Sequence, residues 1–316
     1  MTTSHRPLHR GRTVMQGVAA LGAAGLAVLA YARIEAEMFT VRRFTLPVLP
    51  AGSQPVRVLH ISDLHMTPGQ TRKTRWVQQL ASLEPDLVID TGDNMAHRHA
   101  MPVVLDALDP LMDIPGVFVM GSNDYFAPRM KNPARYLLSD PAKRYVPPAD
   151  RLPADQLGSA MASRGWLDLT NTRAHLEIND VQIEFVGVDD PHINRDRYPT
   201  PAPKDSGTVR LGITHAPYQR TLNAMHSDQC DAIIAGHTHG GQLCLPGFGA
   251  LVTNCDLDRA RAKGVSGWPG ARPDQPGGQD SAWLHVCAGL GTSPYTPVRV
   301  ACRPEAVLLT LTATTA

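Results

Sequence analysis

From residue 56 onward, short apolar runs alternate with longer stretches whose apolar residues recur at helical spacing. VRVLHI (56–61), DLVID (86–90) and GVFVM (116–120) mix β-branched and other apolar residues and stop at polar or glycine-containing turns, as buried strands do. Between them, TRKTRWVQQLASL (71–83) gathers Trp76, Val77, Leu80 and Leu83 on one helical face. MPVVLDALDPLM (101–112) carries one proline at a helix start and a second that ends or kinks the helix. Strand, helix and strand in repetition predict right-handed crossovers and a largely parallel sheet.

The second half is richer in strands. AHLEI (174–178) and VQIEFVGV (181–188) flank Asn179-Asp180, a pair that tolerates the positive φ angles of a tight hairpin turn. VRLGIT (209–214) and DAIIAG (231–236) follow, with a helical stretch from Tyr218 to His226 between them. WLHVCAG (283–289) and AVLLTLT (306–312) complete the set. Residues 264–280, rich in Gly and Pro, read as a surface loop or insertion, and residues 127–153 as a Pro-rich irregular segment. No internal repeat appears, and no linker divides residues 55–314.

The N-terminal segment, residues 1–34, has a different pattern. Arg6, Arg10 and Arg12 precede a stretch from Thr13 to Ala32 that carries no charge. Its length is about that of a helix crossing a bilayer, but its Ala and Gly content makes insertion weak. AYA at 30–32 also fits a small-residue cleavage site. An anchor, a cleaved signal and a soluble helix packed on the body all stay open. The basic residues ahead of the segment favour an inside N-terminus, which places the rest of the chain outside the cytoplasm, anchored to the membrane or exported in soluble form.

Composition narrows the function classes. The 316 residues are 43% hydrophobic and 19% charged with a formal net charge of +1, an ordinary globular balance. A near-neutral chain with 5% aromatics has neither the basic face nor the stacking platforms that nucleic acids need. Cys230, Cys244, Cys255, Cys287 and Cys302 form no CxxC pair, which argues against a structural zinc site and a disulfide framework alike. They read as small buried apolar side chains.

The chemistry lies at the strand ends. SDLH presents Asp63 and His65, TGDN presents Asp93, GSNDY presents Asn123 and Asp124, THAPY presents His215, and GHTHGG presents His237 and His239. The carboxyl ends of strands are where α/β folds place their ligand sites. Imidazole, carboxylate and amide donors without thiolate suit Mn, Fe or Zn. Their number exceeds what one ion needs, and fits two ions about 3.5–4 Å apart that share a carboxylate.

These blocks, in this order over about residues 55–314, resemble the calcineurin-like metallophosphoesterase superfamily, whose pattern is D-x-H, G-D, G-N-H-D/E, H and G-H-x-H. GHTHGGQ and the closing GLGTS further resemble a bacterial branch acting on phosphoesters and lipid-linked diphosphates. The resemblance implies an α/β fold: two facing mixed β-sheets flanked by helices in a four-layer sandwich, here preceded by an N-terminal apolar helix. It implies two divalent metal ions, with Mn favoured over Fe or Zn. Asp63, His65 and His239 would hold the first, Asp93 would bridge, and Asn123, His215 and His237 would complete the second. A hydroxide between the metals would attack phosphorus. The expected function is hydrolysis of a small-molecule or lipid-linked phosphoester or diphosphate, with possible membrane contact through residues 13–32. The alternative is a binding scaffold of the same fold with little catalysis.

One block departs from the pattern. Gly121-Ser122-Asn123-Asp124 stands where most members read G-N-H-D. A gapless alignment puts Ser122 in the metal-ligand slot and Asn123 in the slot of the catalytic histidine. A one-residue slip makes Asn123 the ligand and Asp124 the candidate catalytic residue, and is preferred because an amide oxygen binds metal better than a neutral hydroxyl. Either way the histidine is missing, which points to a good leaving group or a donor from the substrate side. Among neighbours, His60 has the wrong strand parity for ligation and reads as core, and His97 and His99 as surface loop. Arg129 and Lys131 could meet phosphate. GVDDPHINRDRY (187–198) could supply His192 or Arg195 to the rim of the site.

Overall fold

Two six-stranded sheets stack face to face, built from the apolar runs and from three edge strands that the pattern hides. The computed structural model describes residues 8–130 and 150–314, so Lys131 and most of the Pro-rich segment lie outside the described residues. The first sheet runs in the order β1 (Thr40–Leu49), β14 (Glu305–Ala313), β2 (Val56–Ile61), β3 (Leu87–Asp90), β4 (Gly116–Phe118) and β5 (Leu167–Asp168). β2 to β5 are parallel, while β14 is antiparallel to β2 and parallel to β1. The second sheet runs β12 (Gly264–Trp268), β13 (Ala282–Val286), β9 (Ala232–Ala235), β8 (Val209–Thr214), β7 (Val181–Gly187) and β6 (Arg173–Ile178). Its four central strands are parallel and its two edges antiparallel.

Strand alternation assigns each apolar side chain to a layer. Val56, Val58, Leu87, Ile89 and Val117 point inward and meet Ile183, Phe185, Leu211, Ile213 and Ile234 of the other sheet. Their neighbours Leu59, Ile61, Val88 and Phe118 point outward onto helices α2 (Thr71–Gln78), α3 (Met101–Leu108) and α5 (Ala154–Ser163). On the far side, Val186, Ile233 and Leu284 pack on Leu222 and Met225 of α6 (Gln219–Ser227). The result is the expected helix–sheet–sheet–helix sandwich. In the β6–β7 hairpin, Asn179 and Asp180 take φ of 51° and 62°, as its two-residue turn requires.

Three edge strands depart from the sequence reading, the two-residue β5 among them. The first sheet reaches upstream of residue 55, because β1 adds to its edge. Arg42, Arg43 and Pro47 disguise that run, and an edge position tolerates them since only one side of the strand must pair. β12 likewise occupies the start of the segment read as a loop, where its glycines erase any alternation.

Helix α1 (Leu8–Glu35) precedes the sandwich. Every residue from Ala20 to Tyr31 is exposed, and the helix joins the body at its last turns. There Ala32 O accepts from Arg299 N (2.9 Å), and the Glu35 carboxylate accepts from Ala301 N and Cys302 N (3.1 and 2.8 Å). Among the described residues, no helix is long and apolar enough to cross a membrane.

His60 from one sheet and His285 from the other meet edge to face at 5.1 Å in the sandwich interior, both fully buried. Burial lowers both, His285 to about 4, so both are neutral in the fold. An unfolded chain takes up these protons near pH 6.5. Stability therefore falls as pH drops from about 6.5 toward 4, by about 3 kcal/mol from His285 alone. His285→Phe should flatten that part of the stability–pH curve measured by urea unfolding. An unchanged slope would show that His285 is not held neutral in the fold.

Candidate metal centre

Each ligand candidate sits just past the carboxyl end of a parallel strand, and both sheets contribute. Asp63 and His65 follow β2, Asp93 follows β3, and the short helix α4 (Ser122–Tyr125) follows β4. His215 follows β8, and His237 and His239 follow β9. Asp63, His65, Asp93, His237 and His239 all take left-handed backbone, with φ between 43° and 70°. Such conformations cost about 1–3 kcal/mol each for a residue with Cβ, and persist where surrounding structure imposes them, typically at functional sites. Gly236 allows the close approach of the two sheets here, because a Cβ on it would lie 1.9 Å from Ser62 Oγ and 2.8 Å from Asp63 Oδ2.

The side chains converge. Asp63, His65 and His239 bring one donor atom each to within 4.8 Å of one another, and so do Asp63, Asp93 and His215. Asp93 faces both groups, with Oδ2 3.5 Å from His65 Nε2 and Oδ1 3.5 Å from His215 Nε2. His239 Nε2 stands 3.1 Å from His65 Nε2 and 3.5 Å from Asp63 Oδ1, and His237 Nδ1 stands 3.3 Å from His215 Nε2. All seven residues expected as ligands are therefore in one place, Asn123 through its contact with Asp93.

Hydrogen bonds from outside the cluster aim these groups. His215 Nδ1 faces Thr91 O at 2.7 Å and His239 Nδ1 faces Gly291 O at 3.2 Å, which leaves each Nε2 a lone pair for the centre. His237 is turned the other way, its Nε2 toward Asn254 O at 3.3 Å and its Nδ1 inward. Ser62 Oγ and His237 N both donate to Asp63 Oδ2 (2.6 and 3.0 Å). Asp63 Oδ1 is fully buried with no hydrogen-bond partner. A buried carboxylate oxygen left bare among imidazole nitrogens fits a cation.

The electrostatics agree. Burial lowers His65, His237 and His239, so they are neutral and able to ligate. Burial also disfavours the charged form of His215, yet Asp93, Asp190 and Asp63 outweigh it and raise His215 to about 9. The carboxylates draw a proton onto His215 to balance their charge, and divalent cations would replace that proton.

The GSND block resolves differently from the expectation for Asp124. That residue is fully buried and turned away from the cluster. Its carboxylate accepts from the backbone N–H groups of Asp93 (2.8 Å), Gly121 (2.9 Å), Asn94 (2.9 Å) and Met95 (3.3 Å). Burial, then the charge of Asp93, push it up to about 8. Its acceptor sites are spent on clamping two strand-end turns together, so Asp124 is a structural clamp with no oxygen left for a leaving group. Asn123 is the residue that faces the site, donating through N and Nδ2 to Asp93 (2.7 and 2.6 Å). Ligation by its oxygen requires a half-turn of the amide. Asn123→Ala should lower metal occupancy measured by elemental analysis, and Ser122→Ala should not. Asp124→Ala should instead cost about 3 kcal/mol of folding stability by orphaning buried N–H groups. Metal loss on Ser122→Ala with retention on Asn123→Ala would restore the gapless alignment.

The remaining sequence candidates fall into place. His97 and His99 are exposed. The His192 ring lies 4.5 Å from that of His237, tilted by 47°, and its Nδ1 lies 3.0 Å from Tyr218 Oη, so it stands on the rim. Arg195 is held by Asp189 (2.7 Å) and lies over the Tyr125 ring (4.1 Å). Asp190, Tyr218, Asn254 and Arg299 escaped the sequence reading. Arg299 is fully buried and donates to the carbonyls of Ala288, Gly289 and Gly291 (2.8, 3.0 and 2.7 Å), beside His239 Nδ1 at 3.4 Å.

Comparison with known proteins is consistent with this geometry. The family described as calcineurin-like phosphoesterase matches residues 56–241, more than half of the chain. The uncharacterized protein YpbG of Bacillus subtilis is 25% identical over 299 residues, covering 93% of this chain and 95% of its own. Phosphodiesterase YaeI of Escherichia coli is 24% identical over 280 residues, covering 86% and 88%. Among solved structures, NAD nucleotidase of Haemophilus influenzae aligns with a TM-score of 0.42 at 10% identity, over 75% of this chain and 46% of that one.

Proposed function

The chain belongs to the calcineurin-like phosphoesterase family, and on that premise we propose that it hydrolyses a phosphoester or diphosphate bond at a centre of two divalent metal ions. The observation that carries this reading is Asp93, whose two carboxylate oxygens face imidazoles of opposite groups at the same 3.5 Å. Asp63, His65 and His239 would hold one ion and His215, His237 and Asn123 the other, with Asp93 placed to serve both. The donor set suits Mn, Fe or Zn. When bound, the ions supply a water acidified by coordination and a positive field for the phosphoryl oxygens.

The chain's own residues orient that chemistry. Thr91 and Gly291 carbonyls fix the imidazole rings, and Asp63 Oδ2 is locked so that Oδ1 points inward. With Asn123 facing the cluster and the Asp124 carboxyl turned onto four backbone N–H groups, the GSND block aims no proton donor at a departing alkoxide. The site therefore favours esters whose leaving group departs unaided. The sandwich from β1 to residue 314 carries this activity, outside the cytoplasm and with α1 lying against a membrane.

A panel of phosphomonoesters, phosphodiesters and diphosphates, assayed with Mn²⁺-loaded protein, tests the reading. Aryl diesters and diphosphates should turn over well ahead of alkyl monoesters. Two bound ions with no turnover of any ester would mark the chain as a binding scaffold, a reading that the missing histidine favours.

A further inference from the structure

We propose that the β10–β11 hairpin and helix α1 together form a lipid-binding surface that brings the metal centre to phosphoesters in lipid headgroups. The hairpin, β10 (Cys244–Leu245) and β11 (Gly249–Ala250), begins just beyond His239. It exposes Leu243, Leu245, Phe248 and Leu251, at 41%, 52%, 61% and 42%. Single exposed leucines are ordinary on a protein surface, but this many large apolar side chains in one short loop mark an interaction site. Arg259 lies over the Phe248 ring at 5.1 Å, a cation beside an apolar tip, which suits an anionic headgroup layer.

The helix identifies the partner. Leu21, Leu26, Val28, Leu29, Tyr31 and Ile34 are all at least half exposed. At about 100° per residue they fall at roughly 0°, 140°, 340°, 80°, 280° and 220° around the axis. A protein groove covers one face of a helix, whereas acyl chains can cover every face. Among the described residues no helix is long and apolar enough to cross a membrane, so a second contact strengthens the attachment, and the hairpin supplies it. The strip from Arg299 to Cys302 joins the two. Its backbone bonds to Ala32 and to the Glu35 carboxylate on one side, and to Gln242 and Cys244 on the other. Exposed Tyr295 belongs to the adjoining loop, whose Thr296 and Val298 carbonyls accept from Gln242 Nε2 (2.9 and 3.0 Å). Arg299 of the same strip touches His239, so lipid contact and metal ligand share one support.

The inference rests on the phosphoesterase reading for its substrate, but not for its binding step. The full chain would be sedimented with vesicles of phosphatidylcholine and phosphatidylglycerol, and compared with a Leu245→Ser/Phe248→Ser variant. The wild type should co-sediment and the variant should bind roughly tenfold less or weaker. Metal content and turnover of a soluble aryl phosphodiester should match the wild type, which also shows the variant is folded. Phe248→Trp should in addition be quenched by brominated lipid. Equal binding by variant and wild type, no binding by either, or a loss of self-association in the variant instead, would overturn the proposal. Soluble-ester turnover without vesicle binding would defeat the lipid surface alone, whereas vesicle binding without any turnover would defeat the hydrolytic reading.

Discussion

Replacing Asp93 with alanine should reduce bound metal from about two ions per chain toward one or none, and lower turnover roughly a thousandfold or more. The carboxylate is 2% exposed and directs one oxygen at an imidazole of each ligand group, 3.5 Å away in both cases. Its loss separates the two groups and removes the charge that, with Asp190 and Asp63, raises His215. Stability should suffer less than activity, because alanine leaves Asn123 N without its acceptor but creates no buried charge. Elemental analysis beside the turnover of a soluble diester checks this. An Asp93→Ala protein that keeps both ions would remove Asp93 from the bridge.

Arg299→Ala should cost about 3–5 kcal/mol of folding stability and weaken metal binding at the same time. The guanidinium is fully buried and ties the Ala288, Gly289 and Gly291 carbonyls together beneath His239. Alanine removes a buried donor from each of these oxygens, leaving Gly289 O with Glu305 N and Gly291 O with the His239 ring, and frees the loop that orients that ring. Arg210 is the control. It is equally buried and is held by Glu184 (2.7 Å) and Asp228 (3.3 Å), but at the start of β8, the end opposite His215. Arg210→Ala should cost a similar amount of stability and leave metal affinity nearly unchanged. Urea unfolding and metal titration of both variants separate the two roles. Equal metal affinities in the two variants would deny Arg299 its part in positioning His239.

The runs that lie inside a layer were legible in the sequence. VRLGIT became β8 residue for residue, because a strand buried on both faces is mostly apolar, Arg210 here being held by carboxylates, and is bounded by turns. The ligand candidates were legible for a related reason: hard donors recur directly after such runs, and parallel strands carry those positions to one edge of the sandwich. What escaped depends on distant pairings. β1 is a strand only because β14 lies beside it, and its charges and proline give no alternation to read. Arg299 has no motif, since its partners are backbone carbonyls. Asp124 misled for the same reason: its four partners are N–H groups, two of them beyond Asp93 on the neighbouring turn, and a sequence does not display where an N–H points. His215 shows the division well. Its position after β8 is readable, while the carbonyl that sets its tautomer belongs to Thr91, 124 residues away in the chain.

The most direct test of the account is to titrate Mn²⁺ into metal-stripped protein while following bound metal and turnover of an aryl phosphodiester together. Asp93 joining two ligand groups predicts that turnover stays low through the first equivalent, rises with the second and is abolished by chelation. Full turnover at one equivalent, or turnover that survives chelation, would contradict the two-ion centre.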